Sequence, residues 1–336
     1  MRPVSRSIRA LAGALLLAAA TVFLSTCGGI GGSEFSGGGT GGTGISTAAI
    51  SGFGSVVVNN VHFRTDDEVA PGFHTKKMSN GADKSGRMDN VVFAVGMVVT
   101  VRHGKDDNNA QVIEYRDNLR GPIAATASGA DNIIEILGQS VVVDDAAIFA
   151  SLKRGDIVEV SGFVDNAGRI RAAYILPVSP SIREFEAKGF VSGLTGSTFQ
   201  LGPLPDGSGP TVMVSYDAAV VSGLPEGPVK GMHVQVTTTD REPVGGVITA
   251  TRIEKLASRT EFPDGTPVEL EGLVTMPWSG SMNDFSFAVE GKRVQWDANT
   301  EFVGGARNDT QQTNRRVQVQ GTETGGFLSA VRIVFR

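Results

Sequence analysis

The feature that most constrains this chain is a fourfold echo: Val99/Val101, Val158/Val160, Val234/Val236 and Val317/Val319, each pair followed by an Ala-x-x-Ile. The alanines are Ala110, Ala172, Ala250 and Ala330, and the isoleucines Ile113, Ile175, Ile253 and Ile333. Four matches at independent loop lengths are hard to obtain by chance, so one unit of about 70 residues is present in four copies. A leading glycine sets each motif off as Gly-x-x-Val-x-Val at Gly96, Gly155 and Gly231, with Asn314 in its place in the last copy.

Met97, Val99 and Val101 alternate with Val98, Thr100 and Arg102, and Val158 and Val160 with Glu159 and Ser161. That period of two marks a half-buried strand, valines inward and the interleaved residues outward. Gly162 and Gly321 follow the strand in two copies, where His103 and Thr238 stand in the others, and fit a turn or bulge at a barrel corner. Upstream, each copy opens with a glycine ahead of an apolar strand: Gly52-Phe53, Gly121-Pro122-Ile123, Gly189-Phe190-Val191 and Gly272-Leu273-Val274. Two further strands follow, for instance 133–137 and 140–143 in the second copy, 285–289 and 293–296 in the fourth. One helix-like stretch, 144–152, is capped by Asp144 or Asp145 and stopped by Gly155.

Five short strands with a helical turn between the third and fourth predict an all-β fold, a tandem array of four small OB-like five-stranded barrels. A sandwich or simple meander of the same strands is the alternative. The boundaries expected are a signal peptide over 1–26, a Gly-rich tether over 27–47, and repeats over 48–117, 118–178, 183–257 and 266–336. At this period each copy is expected to close its own core, the array behaving as beads, with contacts between neighbours supporting units this small.

The segments Ile50-Ser51-Gly52-Phe53-Gly54-Ser55-Val56-Val57-Val58-Asn59, Val95-Gly96-Met97-Val98-Val99, Ile136-Leu137-Gly138-Gln139 and Gly155-Asp156-Ile157-Val158-Glu159-Val160-Ser161-Gly162-Phe163 resemble the domain-of-unknown-function family 5666 of exported bacterial proteins. The likeness runs over nearly the whole chain after the leader and is strongest in the first two copies. It implies an all-β repeat lipoprotein and supplies no activity. The first copy departs by a polar insert over 64–90, and the fourth by an Asn-, Gln- and Thr-rich stretch over 304–314, loops of the kind that carry specificity.

Arg2, Arg6 and Arg9 precede a 15-residue apolar run over 10–24, a signal-peptide layout too short for a span of roughly 20 residues. Leu24-Ser25-Thr26-Cys27-Gly28 resembles a lipobox, although Thr26 stands where that motif has a smaller residue; Cys27 would be the acylated N-terminus. Gly28, where an inner-membrane retention signal has Asp, implies the outer membrane as the destination. The 28–44 stretch is too Gly-rich to pack and has a reach of about 20–25 Å. Cys27 is the only cysteine, so no intramolecular disulfide forms.

Loss of the leader's arginines takes the formal charge from −5 to −8, and no basic groove is visible, which argues against a nucleic-acid partner. Lys76-Lys77 and Arg315-Arg316 read as solvated strand or loop ends. No nucleophile elbow, zinc-protease helix, cysteine knuckle or phosphate loop occurs, so a non-enzymatic protein without a cofactor is expected. His62, His74 and His103 fall near Asp66, Asp67, Glu68, Asp106 and Asp107 and are the candidate metal ligands, without zinc-site spacing. His233 reads as a wet strand face, 106–109 as a hairpin tip, and Asp144-Asp145 as a turn or cap. Trp278, in the loop joining the first two strands of the fourth copy, is the candidate ligand-stacking residue, the alternative being packing over the barrel end; Trp296 reads as core.

From these features follow two expectations. The first is an anchored envelope lipoprotein held to the membrane by its lipid and acting as an interaction or scaffolding module for an envelope protein. The second is a binding module for an oligosaccharide or small molecule.

Overall fold

The computed structural model describes residues 44–104, 107–281 and 284–336. Cys27 and all of the leader lie outside them. The described chain is all-β, with only one-turn helices at Asp66–Glu68, Asp89–Val92, Ala146–Ser151 and Arg307–Gln311. No described helix is long and apolar enough to cross a membrane.

The second repeat runs through strands Leu119–Ala127, Ile133–Ile136, Gln139–Val142, Ile157–Val164 and Ile170–Pro177. The first pairs antiparallel with the second and the second with the third; the third lies parallel to the fifth. The fifth pairs antiparallel with the fourth, and the fourth returns to the first. Helix Ala146–Ser151 sits between the third and fourth strands because the Asp145 carboxylate accepts from the Ala147 and Ile148 N–H groups. The same pairings recur in the third repeat (Phe185–Thr195, Thr198–Gly202, Val212–Ser215, His233–Thr238, Val247–Lys255). They recur again in the fourth (Pro267–Met276, Ser286–Val289, Lys292–Gln295, Arg316–Thr324, Phe327–Phe335). In the first repeat (Gly44–Phe53, Val56–Val58, Val61–Phe63, Val98–His103, Ala110–Tyr115) the third strand meets the fifth through a single parallel bridge, Arg64 to Asn109.

The echo in the sequence is a cross-strand pairing. Val101 lies opposite Ile113, Val160 opposite Ile175, Val236 opposite Ile253 and Val319 opposite Ile333. In all four repeats the register then slips by one residue, and the residue after the slip faces the alanine: His103–Ala110, Gly162–Ala172, Thr238–Ala250 and Gly321–Ala330. The expected bulge is therefore present in every copy. The leading position needs a left-handed backbone, with φ +92° at Gly96 and Gly155 and +81° at Gly231; Asn314 takes φ +61° in the same role, as the residue after glycine best suited to it.

The expectation of four separate barrels strung as beads is corrected. The strands of the first and fourth repeats join in one 13-stranded sheet, and those of the second and third in one 11-stranded sheet. Ile45, Ser46 and Thr47 pair in parallel with Val268, Glu269 and Leu270, while Glu186 and Ala187 pair antiparallel with Arg120 and Leu119. In sharing sheet and core with a neighbour, each repeat behaves as a solenoid repeat does. The physical reason is size: about 60–70 residues bury too little surface alone, and joining edges removes unpaired strand backbone as well. The tether boundary moves accordingly, since Gly44–Thr47 are strand and Ile45, Ser46 and Thr47 are buried.

Burial follows. One core spans the second and third repeats, from Leu119 and Val160 to Val236 and Ile253. A second fills the fourth repeat and takes in Ile45, and a third fills the first repeat. Ala49, Val98, Phe163 and Leu273 form a small apolar cluster between the first, second and fourth repeats. Val98 and Ser161, expected to face outward, are thus buried against neighbouring repeats, and Ser161 Oγ accepts from the Val98 N–H at 3.0 Å. Alternation marks one buried face; here the other face is buried too.

Candidate binding cleft between the third and fourth repeats

The insert in the first repeat is folded around a lysine. Lys77, expected to be solvated, is fully buried on strand Lys76–Ser79, ion-paired with Asp66 and with Asp89 Oδ1 at 2.6 Å, and donates to the Arg87 carbonyl at 2.6 Å. Burial pulls its pKa down, and the two carboxylates more than offset it, so the net shift is upward. Arg316, in the other pair, reaches Glu271 at 3.0 Å, and Arg315 lies over the Phe335 ring at 5.9 Å.

The histidines of the first repeat are not brought together. His62 bonds the Gly54 carbonyl, His74 is exposed, and His103 stacks on Phe63 with Nδ1 at 2.9 Å from the Gly104 carbonyl. Among the described residues no group of three potential ligands converges. Asp106 and the Asp67 side chain lie outside the described residues. Asp107 caps its own turn through the Asn109 N–H at 3.0 Å, and Asp144 pairs with Arg171.

Trp278 is corrected from a stacking platform to a core residue. It is 5% exposed, its indole N–H donates to the Asp284 carbonyl at 2.6 Å, and its ring meets Trp296 edge-on at 5.3 Å. Little of the ring is left to a ligand, and its polar handle is already used.

An open cleft of about 620 Å³ lies between the third and fourth repeats, beside the linker that joins them. Its apolar floor holds Phe190 and Phe262, with Lys292 Nζ 5.6 Å above the Phe262 ring and 2.6 Å from Glu323 Oε1. Lys230 and Lys255 stand exposed on its rim and form no ion pair among the described residues. His233, expected on a wet face, packs on Phe190 at 4.9 Å. Burial, aided by the Arg259 charge, lowers its pKa to about 4, so the ring is neutral near pH 7. His233 Nδ1 and Glu323 Oε2 are both buried with no hydrogen-bond partner among the described residues, and both residues line the cleft. Orphaned polar atoms beside an apolar floor are what a recognition site offers a ligand.

Sequence reasoning missed this cleft because Phe190, His233, Phe262 and Glu323 come from three separated parts of the chain. No local signal marked it: His233 holds an outward position of the alternation, in register with Gln235 and Thr237.

Strand order, shared sheets and a repeated bulge define a tandem-repeat all-β protein. Two of its segments, 120–175 and 271–334, match the model of the family described as Domain of unknown function (DUF5666). They are the second and fourth repeats; the first repeat differs by its folded insert. No curated protein matches the chain.

Proposed function

We propose that the protein is a non-enzymatic envelope lipoprotein, held to the outer membrane through Cys27, whose joined repeats act as an interaction module for another envelope protein. The observation that carries the interaction reading is the cleft: an aromatic lining between two repeats, with Lys230 and Lys255, which form no ion pair among the described residues, exposed on its rim together with Glu261 and Asp264. Such a groove suits an extended segment of a partner that carries acidic residues opposite Lys230 and Lys255 and basic ones opposite Glu261 and Asp264, the aromatic lining giving affinity and the rim charges setting the register.

The test is in-cell photocrosslinking from position 260, which lines the cleft, in the otherwise native chain and in a Cys27→Ser form. Capture of one discrete envelope protein by the anchored form, lost on Lys230→Glu/Lys255→Glu, is the expected outcome. Crosslinks only to abundant bystanders in both forms reject the reading.

A second reading, binding of an oligosaccharide or small molecule in the same cleft, is favoured by the orphaned His233 Nδ1 and Glu323 Oε2. It calls for a melting shift with a glycan panel that disappears in His233→Phe.

A further inference from the structure

Thr100 and Arg102 on strand Val98–His103, Glu114 on Ala110–Tyr115, and Arg116 just beyond it share the outer face of the first repeat, because Val99, Val101, Ile113 and Tyr115 fill the interior. The linker between the third and fourth repeats crosses this face. Its Ala257, Ser258 and Arg259, with Ile45, Glu261 and Phe262, close a cavity of about 40 Å³ over it. That exceeds the ~10–15 Å³ a single water needs and is room for one small polyatomic ion.

The lining is asymmetric in charge. Arg116 already engages Glu114, at 2.6 Å from Nη2 and 2.7 Å from Nε. Arg102 is half-buried and enters no ion pair among the described residues, and Glu261 is exposed. Arg259 Nη2 donates to the Gly162 carbonyl at 3.1 Å, while its Nη1 is buried and has no hydrogen-bond partner among the described residues. A buried guanidinium N–H left without an acceptor is costly, and an oxyanion is the partner that fits its planar donor fork.

We propose that this cavity binds one tetrahedral oxyanion of the phosphate or sulfate class, free or as the terminal group of a larger molecule. Arg259, whose Nη1 is without a partner among the described residues, and Arg102 both line the cavity, as do Thr100 and Ser258. The anion ties the linker to the first repeat and so locks the junction of the third and fourth repeats against the first. Its site is separate from the cleft of Lys230 and Lys255, so either can fail without the other.

The test is calorimetric titration and thermal unfolding of the full chain with inorganic phosphate, sulfate and a phosphomonoester, at ionic strength matched with chloride. A saturable heat and a rise in Tm with phosphate or sulfate but not chloride are expected. Arg102→Gln, which leaves no protein group unpaired, is expected to bind at least tenfold more weakly with its ligand-free Tm within a few degrees of the parent. Lys230→Gln is expected to bind as the parent does. A monoester binding more tightly than the free ion identifies a terminal group as the ligand; the reverse identifies the free ion. The absence of a saturable response to all three probes, or equal binding by Arg102→Gln, overturns the proposal, and Arg102→Gln decides it even where Arg259→Gln does not fold.

Discussion

The Tyr115 hydroxyl donates to Glu159 Oε1 at 2.8 Å, joining the first repeat to the second. Glu159 also accepts from Asn80 Nδ2 at 3.3 Å, and Asp117 beside it pairs with Lys188 of the third repeat. Burial, then the Asp117 charge, raises the Glu159 pKa, and burial likewise pushes the phenol far up, so Tyr115 acts as a neutral donor to a poorly solvated carboxyl. Tyr115→Phe removes that donor and keeps the ring. It is expected to cost about 1–3 kcal/mol in denaturant unfolding with the slope unchanged.

The bulge gives a steric prediction. A Cβ on Gly162 would sit 2.2 Å from the Arg171 carbonyl oxygen, and one on Gly321 2.2 Å from that of Ser329. The obstacle is backbone in both cases, so neither can yield cheaply. Gly162→Ala and Gly321→Ala are each expected to lose about 2 kcal/mol or more, read as a drop in denaturation midpoint.

Lys77 makes the first-repeat insert a folded part of its sheet. Lys77→Met strands Asp66 and Asp89 and is expected to cost about 3–5 kcal/mol. Replacing all three by apolar residues of similar volume recovers much of that loss. A single variant as stable as the parent would show that the insert is not held by this triad.

Two buried groups give opposite pH slopes. Glu290, which accepts from the Val164 N–H at 3.0 Å and the Leu273 N–H at 3.1 Å, is raised to about 7, by burial first and despite Arg259. Its folded form holds a proton that the unfolded form releases, so its contribution falls as pH rises from the ordinary carboxyl value toward 7. His233, lowered to about 4, behaves oppositely: its contribution is complete above 6.5 and is lost as pH falls toward 4. The two nearly cancel in the parent between about pH 4.5 and 6.5. Chemical denaturation across that range is expected to show Glu290→Gln gaining stability with pH and His233→Phe losing it, each by up to about 3 kcal/mol.

Trp278→Ala is expected to lower stability by about 3–5 kcal/mol, the range for a large aromatic cut out of a core. Its loss should also change the emission of Trp296, 5.3 Å away. Unchanged stability would return Trp278 to the surface.

The chain's periodicity alone determined the four units, the Val–Ile and bulge–alanine pairings and the turn positions, because these depend on residues within one strand pair and its hairpin. Backbone chirality and period-two alternation act over a few residues and are readable there. Asp145 as a helix cap was legible for the same local reason.

Tertiary structure decided the rest. Gly44–Thr47 read as tether because nothing near them in sequence could cover them; their cover is Val268–Leu270, more than 200 residues away. Val98, Ser161, Lys77 and His233 broke the outward reading because each received its second layer of neighbours from a distant segment. Trp278 gained burial from Trp296 and from its own loop folding back, and the cleft exists only because two repeats meet beside a linker. A strand's sequence fixes which face it must bury at once, whereas burial of the other face depends on what the remainder of the chain brings to it.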